Sequence, residues 1–62
     1  MANTSGDQLR KRRERKRISL RKLAREAGLS PSYLSDIELG RSTCPADTME
    51  RLTTGLNILA RA

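Results

Sequence analysis

The sequence predicts an all-α fold, a compact bundle of four to five short helices, and three observations carry that expectation. Leu20, Leu23, Ala24 and Ala27 recur at the i, i+3, i+4, i+7 spacing that lines one face of a helix, with Arg21, Lys22, Arg25 and Glu26 outside it. Helix punctuation surrounds this stripe: Ser19 before it, Gly28 after it, and Ser30 with Pro31 opening the next segment. No stretch alternates apolar and polar residues over a useful length, so a sheet is not expected. The 62 residues suffice for one small domain. Such a domain buries only ~60% of the surface its unfolded form exposes. Short helices joined by short loops suit it, because local contacts limit the entropy lost in closing loops.

Taken in order, residues 1–6 have the small polar composition of a flexible tail, and Ser5 or Asp7 is placed to cap a first helix over about residues 7–16. Leu9 is the only apolar residue in that helix. The stem of Arg12 is expected to cover core surface while its head reaches solvent. The second helix spans about residues 19–27, with the Ser19 hydroxyl satisfying an orphan amide of its first turn. Gly28 stops it in the left-handed conformation that carries no Cβ penalty in glycine. The third helix spans about residues 30–39, capped by Ser30, with Pro31 at the first position where a missing N–H costs nothing. Leu34 and Ile37 point into the core, so Ser32, Tyr33 and Asp36 point out.

After Gly40 the segment RSTCPAD lacks periodicity and reads as a loop. Asp47 opens a fourth helix over about residues 47–55, its carboxylate suited to the positive end of the helix dipole. Met49, Leu52 and Leu56 form its inner stripe, and Gly55 weakens it by ~1 kcal/mol relative to alanine. Asn57 is placed to end it, leaving residues 57–61 as a short fifth turn.

Composition narrows the function. Tyr33 is the single aromatic, Cys44 the single cysteine, and histidine is absent. That combination leaves no internal disulfide, no metal-ligand set and no nucleophile beside a base, so neither a metal, a cofactor nor an enzyme is expected. Cys44 reads as a reduced thiol. No apolar run approaches the ~18 residues of a membrane span, and the N-terminus has no signal-peptide core, so a cytoplasmic protein is expected. The net charge is +6, and ten of the thirteen basic residues lie between Arg10 and Arg25, where RKRRERKR is interrupted by Glu14 alone. A field of that sign and density attracts phosphate, in DNA, RNA or anionic lipid.

The segment ISLRKLAREAGLSPSYLSDIELG, residues 18–40, resembles the lambda-repressor-like helix-turn-helix family, also called Cro/repressor or XRE-type. That family shares a pattern close to lSLreLAxxaGvSxsyLSxiExGxxxP, matched here by Ser19, Leu20, Leu23, Ala24, Gly28, Leu29, Ser30, Leu34, Ser35, Ile37, Glu38 and Gly40. Leu9 and Arg13 fall at the spacing of the family's first helix, and Met49, Leu52 and Leu56 at that of its fourth, so the resemblance covers about residues 7–58. The motifs are weak singly and strong together, in order and without a gap. The chain departs from the pattern at Arg12, where the family usually has an aliphatic, at Pro45, one residue late, and at Thr53 and Gly55, where alanine is common.

The resemblance implies a lambda-repressor-like DNA-binding domain in which Arg13 of the first helix pairs with Glu38 at the end of the third, a reading preferred to Arg13 simply joining the phosphate-binding run. It implies that helix 30–39 reads the major groove, where base pairs expose distinguishable donors and acceptors. Pro31, Ser32, Tyr33 and Asp36 are then the base-reading candidates. Tyr33 has two readings, a contact with base, phosphate or sugar and partial packing on its neighbour. Asp36 must accept from cytosine N4, pair with an arginine, or discriminate by exclusion. Phosphate contacts fall to Ser19, the amides from Leu20 onward, Arg21 and Lys22 on one side, and Arg41, Ser42 and Thr43 on the other.

Family members usually bind palindromic operators as two-fold dimers, which makes Leu56, Ile58 and Leu59 candidate dimer contacts; closure of the monomer core is an equal reading. The preferred function is a sequence-specific double-stranded DNA-binding regulator, a repressor, with an antitoxin-type autorepressor as one variant. The competing reading is a cationic protein that coats RNA, DNA or anionic membrane through the first helix. That helix lacks the broad apolar face that membrane insertion needs.

Overall fold

The computed structural model describes residues 5–61, in which four helices follow one another: α1 (Ser5–Arg15), α2 (Leu20–Ala27), α3 (Pro31–Glu38) and α4 (Ala46–Arg61). The described residues contain no strand. Helix α2 packs against both α3 and α4, and α1 packs against α3. The core is aliphatic throughout: Leu9, Ile18, Leu23, Ala24, Ala27, Leu34, Ile37, Leu52 and Leu56. Leu20, Leu29, Tyr33, Cys44 and Leu59 pack around it, each partly covered.

The serine caps form as their positions predict. Ser19 and Ser30 take extended backbone angles, and their hydroxyls accept from the Lys22 and Tyr33 amides at 3.1 Å. Helices α1, α2 and α3 also end alike. In each, a residue one or two positions past the helix turns left-handed and donates three residues back, while the next residue donates five residues back. The pairs are Arg17 to Glu14 with Ile18 to Arg13, Gly28 to Arg25 with Leu29 to Ala24, and Gly40 to Ile37 with Arg41 to Asp36, all between 2.8 and 3.2 Å. Glycine occupies this site twice, at φ 75° and 77°, but after α1 it is Arg17, at φ 57°.

A side chain in that conformation costs ~1–2 kcal/mol, partly offset by the ~0.5–1 kcal/mol that glycine loses in ordering its backbone. Arg17→Gly is therefore expected to raise stability by about 0.5 kcal/mol, read as a higher urea midpoint at unchanged slope. A lowered midpoint would show that the arginine contributes more than its backbone strain removes.

Two expectations about the ends of the chain are corrected. Residues 1–4 lie outside the described residues, but Ser5 and Gly6, assigned to the tail, belong to α1. Gly6 is buried, and a Cβ built on it would overlap the Ile37 carbonyl oxygen and stand 2.9 Å from its carbon. Absence of a side chain is what lets α1 begin early and lie against the end of α3. At the other end Asn57 does not stop a helix: α4 runs unbroken for 16 residues, and no separate fifth turn exists.

Gly55, read as a weak point, is buried against α2, where a Cβ would meet Glu26 Cγ at 3.3 Å and Leu23 Cδ1 at 3.5 Å. Close helix packing there, with Leu52 and Leu56 buried on the same side, outweighs the propensity cost. Arg12, expected to cover the core, is exposed. The buried face of α1 is instead Gly6, Leu9 and Arg13, an i, i+3, i+7 stripe.

Candidate nucleic-acid interface

Helix α3 is held by its inner face. Leu34 and Ile37 are almost wholly buried, and Glu38 at its last turn is 5% exposed. Glu38 is matched by Arg13 in a two-point clamp: Nε donates to Oε2 at 2.8 Å and Nη2 to Oε1 at 3.0 Å. The remaining guanidinium nitrogen Nη1 donates to the Ile18 carbonyl at 2.8 Å. One arginine thus ties α1, the α1–α2 corner and the end of α3 together, with the carboxylate and guanidinium both inside the fold.

So fixed, α3 presents its first turn outward. Pro31 and Ser32 are exposed. Tyr33 is half-buried and packed against the core, so its ring has a structural role whatever its hydroxyl meets. Asp36 is partly exposed, and its carboxylate has no hydrogen-bond or ionic partner among the described residues. Its backbone carbonyl, however, accepts from the amides of Arg41 and Ser42, which secures the start of the loop 40–45 to the end of α3. Within that loop Arg41 and Thr43 are exposed and Ser42 is half-buried.

The start of α2 forms the second cluster. Ser19, Arg21 and Lys22 are exposed and Leu20 is half-buried. The Lys22 amide is taken by the Ser19 hydroxyl and the Leu23 amide by the Ser19 carbonyl. That leaves the first-turn amides of Leu20 and Arg21 for an outside acceptor. The Ser19 hydroxyl accepts from Lys22, so its own proton is available as well.

The basic run is partly neutralised. Lys11 pairs with Asp7 at 3.3 Å, Arg10 with Glu14 at 3.6 Å, and Arg13 with Glu38. Arg12, Arg15, Lys16, Arg17, Arg21, Lys22 and Arg25 have no acidic partner among the described residues. The surviving positive charge is thus concentrated at the α1–α2 corner and along the outer face of α2.

A family model described as a helix-turn-helix domain matches residues 6–61. The chain belongs to the helix-turn-helix domain family. Membership makes it a DNA-binding domain, with a role in transcription regulation, and α2, the turn at Gly28 and α3 form the unit for which the family is named. No match was found among curated proteins or among solved structures.

Several side chains of this helix-turn-helix domain were not picked out as functional by their sequence positions. Ile18 closes the core and supplies a carbonyl to Arg13, roles set by the Arg17 turn and not by helical periodicity. Gly6 marks a helix contact that only the tertiary fold reveals. Arg25, read as an outward residue of α2, borders an open hollow with Arg21, Leu29, Pro31 and Ser32. Of the dimer candidates, Leu56 is 2% exposed and belongs to the core, Leu59 is partly covered by it, and Ile58 is exposed. Cys44 is half-buried; burial, aided by the Asp47 carboxylate, pushes its thiol up from the ordinary cysteine range, away from the thiolate form. No helix among the described residues is long and apolar enough to cross a membrane.

Proposed function

We propose that this domain is a sequence-specific, double-stranded-DNA-binding repressor that reads the major groove with the first turn of α3. The observation that carries the reading is the exposure of Pro31 and Ser32 on a helix anchored from behind by Leu34, Ile37 and the Arg13–Glu38 clamp. A helix presented in this way can enter the groove end-on without losing its seat. Phosphate contacts from Ser19, the Leu20 and Arg21 amides, Arg21 and Lys22 lie before it, and Arg41, Ser42 and Thr43 follow it. In the proposed complex these clamp the strands on either side of the groove.

Two copies on a palindromic operator are part of the proposal, with Ile58 and the outer edge of Leu59 as the contact. Leu56 takes no part because it is inside the monomer. A cytoplasmic protein acting on the nucleoid follows from this role, and autorepression of an antitoxin type is one form of it. The unpaired cations along α1 and α2 favour one alternative, charge-only binding to any polyanion.

Selection of bound duplexes from a random pool at moderate salt separates the two. A repressor retains a preferred, two-fold site, whereas charge-only binding recovers none. With five or six cations engaged, log affinity should fall against log salt with a slope of about −5. Ser32→Ala combined with Tyr33→Phe, which keeps the ring packed against the core, is expected to erase the preference at the base pairs that α3 meets while leaving residual, salt-sensitive binding. Recovery of the same site by the double variant would show that α3 is not the reader.

A further inference from the structure

We infer that Arg25, on α2 and outside the reading helix, is a base-reading residue that recognises a guanine in the operator; the inference rests on the DNA-binding reading above. The first turn of α3 is chemically sparse. Pro31 has no donor, Ser32 has one short hydroxyl, and no Arg, Gln or Asn faces outward between them and Asp36. Sequence-specific contact in the major groove rests mainly on side chains that make two hydrogen bonds at once, above all arginine with the O6 and N7 of guanine.

The hollow between α2 and the start of α3, about 550 Å³, is bordered by Pro31 and Ser32 on one side and by Arg21 and Arg25 on the other. Short side chains on α3 leave it open. Arg21 and Arg25 are one helical turn apart, and their side chains are exposed with no hydrogen-bond or ionic partner among the described residues.

Their positions along α2 divide their roles. Arg21 sits in the first turn, beside Ser19 and the free amides, where a phosphate belongs. Arg25 sits in the last turn, next to the corner at Gly28 and Leu29 from which α3 starts. When Pro31 and Ser32 enter the groove, Arg25, the one of the two bordering cations nearer that corner along α2, is carried in beside them. Its planar five-donor head supplies the paired donors that α3 lacks. A lysine there would keep the charge but present a compact ammonium whose three donors are not held in a planar, paired fork.

The test is site selection from random duplexes with the wild-type chain, Arg25→Lys and Arg25→Ala, followed by affinity measurements on the wild-type site at several salt concentrations. The wild-type site is expected to contain an invariant guanine at which Arg25→Ala loses its preference and Arg25→Lys has a weakened one. Affinity for that site should drop about tenfold or more in Arg25→Ala and by less in Arg25→Lys, in which binding to random duplex persists. A helical circular dichroism spectrum matching wild type ensures that each variant is compared as a folded protein. Retention of the guanine by Arg25→Ala, or a loss in Arg25→Ala confined to a salt slope lower by about one, would make Arg25 a phosphate contact and overturn the inference. If the wild-type chain selects no site, the failure lies with the repressor reading itself, and this inference falls with it.

Discussion

Glu38→Ala is expected to cost about 3–5 kcal/mol, enough to unfold most of a 62-residue domain at room temperature. The magnitude comes from what is left behind. Arg13 is 9% exposed, and its guanidinium spends two donors on the carboxylate and one on the Ile18 carbonyl. Without Glu38 the cation remains in a site that excludes water, with two donors orphaned. Arg13→Ala leaves the complementary problem, a carboxylate 5% exposed beside the core, and additionally frees the Ile18 carbonyl. Replacing both, as Arg13→Met with Glu38→Leu, removes the charges together and is expected to cost far less than the sum of the singles. The desolvation penalty of a buried pair largely cancels its attraction.

Urea unfolding of the two singles and the double, arranged as a cycle, measures this directly. Losses below about 1 kcal/mol in both singles would mean that the cavity admits water and that the pair behaves like a surface bridge. The surface pairs of α1 provide the internal comparison. Arg10–Glu14 joins two substantially exposed side chains 3.6 Å apart, so its removal is expected to change stability by a few tenths of a kcal/mol.

The helix-turn-helix unit was legible because its signals are local. Leu23, Ala24 and Ala27 are fixed by helical period, Ser19 and Ser30 by their capping chemistry, and Gly28 by its left-handed turn, so each was readable from a few neighbouring residues. The Arg13–Glu38 pair spans 25 positions and came from family resemblance alone, which no local rule could have supplied. What stayed hidden depends on where helices meet. Arg17 was not expected to turn left-handed, because arginine gives no composition signal for it. Asn57 looked like a helix end, yet burial of Gly55 and Leu56 against the rest of the fold carries α4 through it. The site shows the same division: exposure of Pro31 and Ser32 follows from the period of α3, while the partial burial of Tyr33 and the hollow beside Arg25 follow from how α2 and α3 pack.

Gly6→Ala reverses the sign that helix propensity assigns. In an exposed helix this change stabilises by about 1 kcal/mol, since alanine loses less backbone freedom on folding. Here the new methyl would enter the space of the Ile37 carbonyl oxygen and lie 3.2 Å from the Glu38 Cα, so the obstacle is backbone and not a side chain able to rotate away. That carbonyl is itself committed, accepting from the Gly40 amide at 3.1 Å to close the end of α3. Relief therefore requires α1 to lift from α3, at an expected net cost of about 1–3 kcal/mol. Because Gly6, Leu9 and Arg13 lie on one stripe, lifting α1 would also lengthen the clamp to Glu38. For a domain of this size the expected loss lowers the thermal midpoint by roughly 4–8 °C for each kcal/mol. A midpoint equal to or above that of the parent chain would show that α1 does not need this close approach to hold α3 in place.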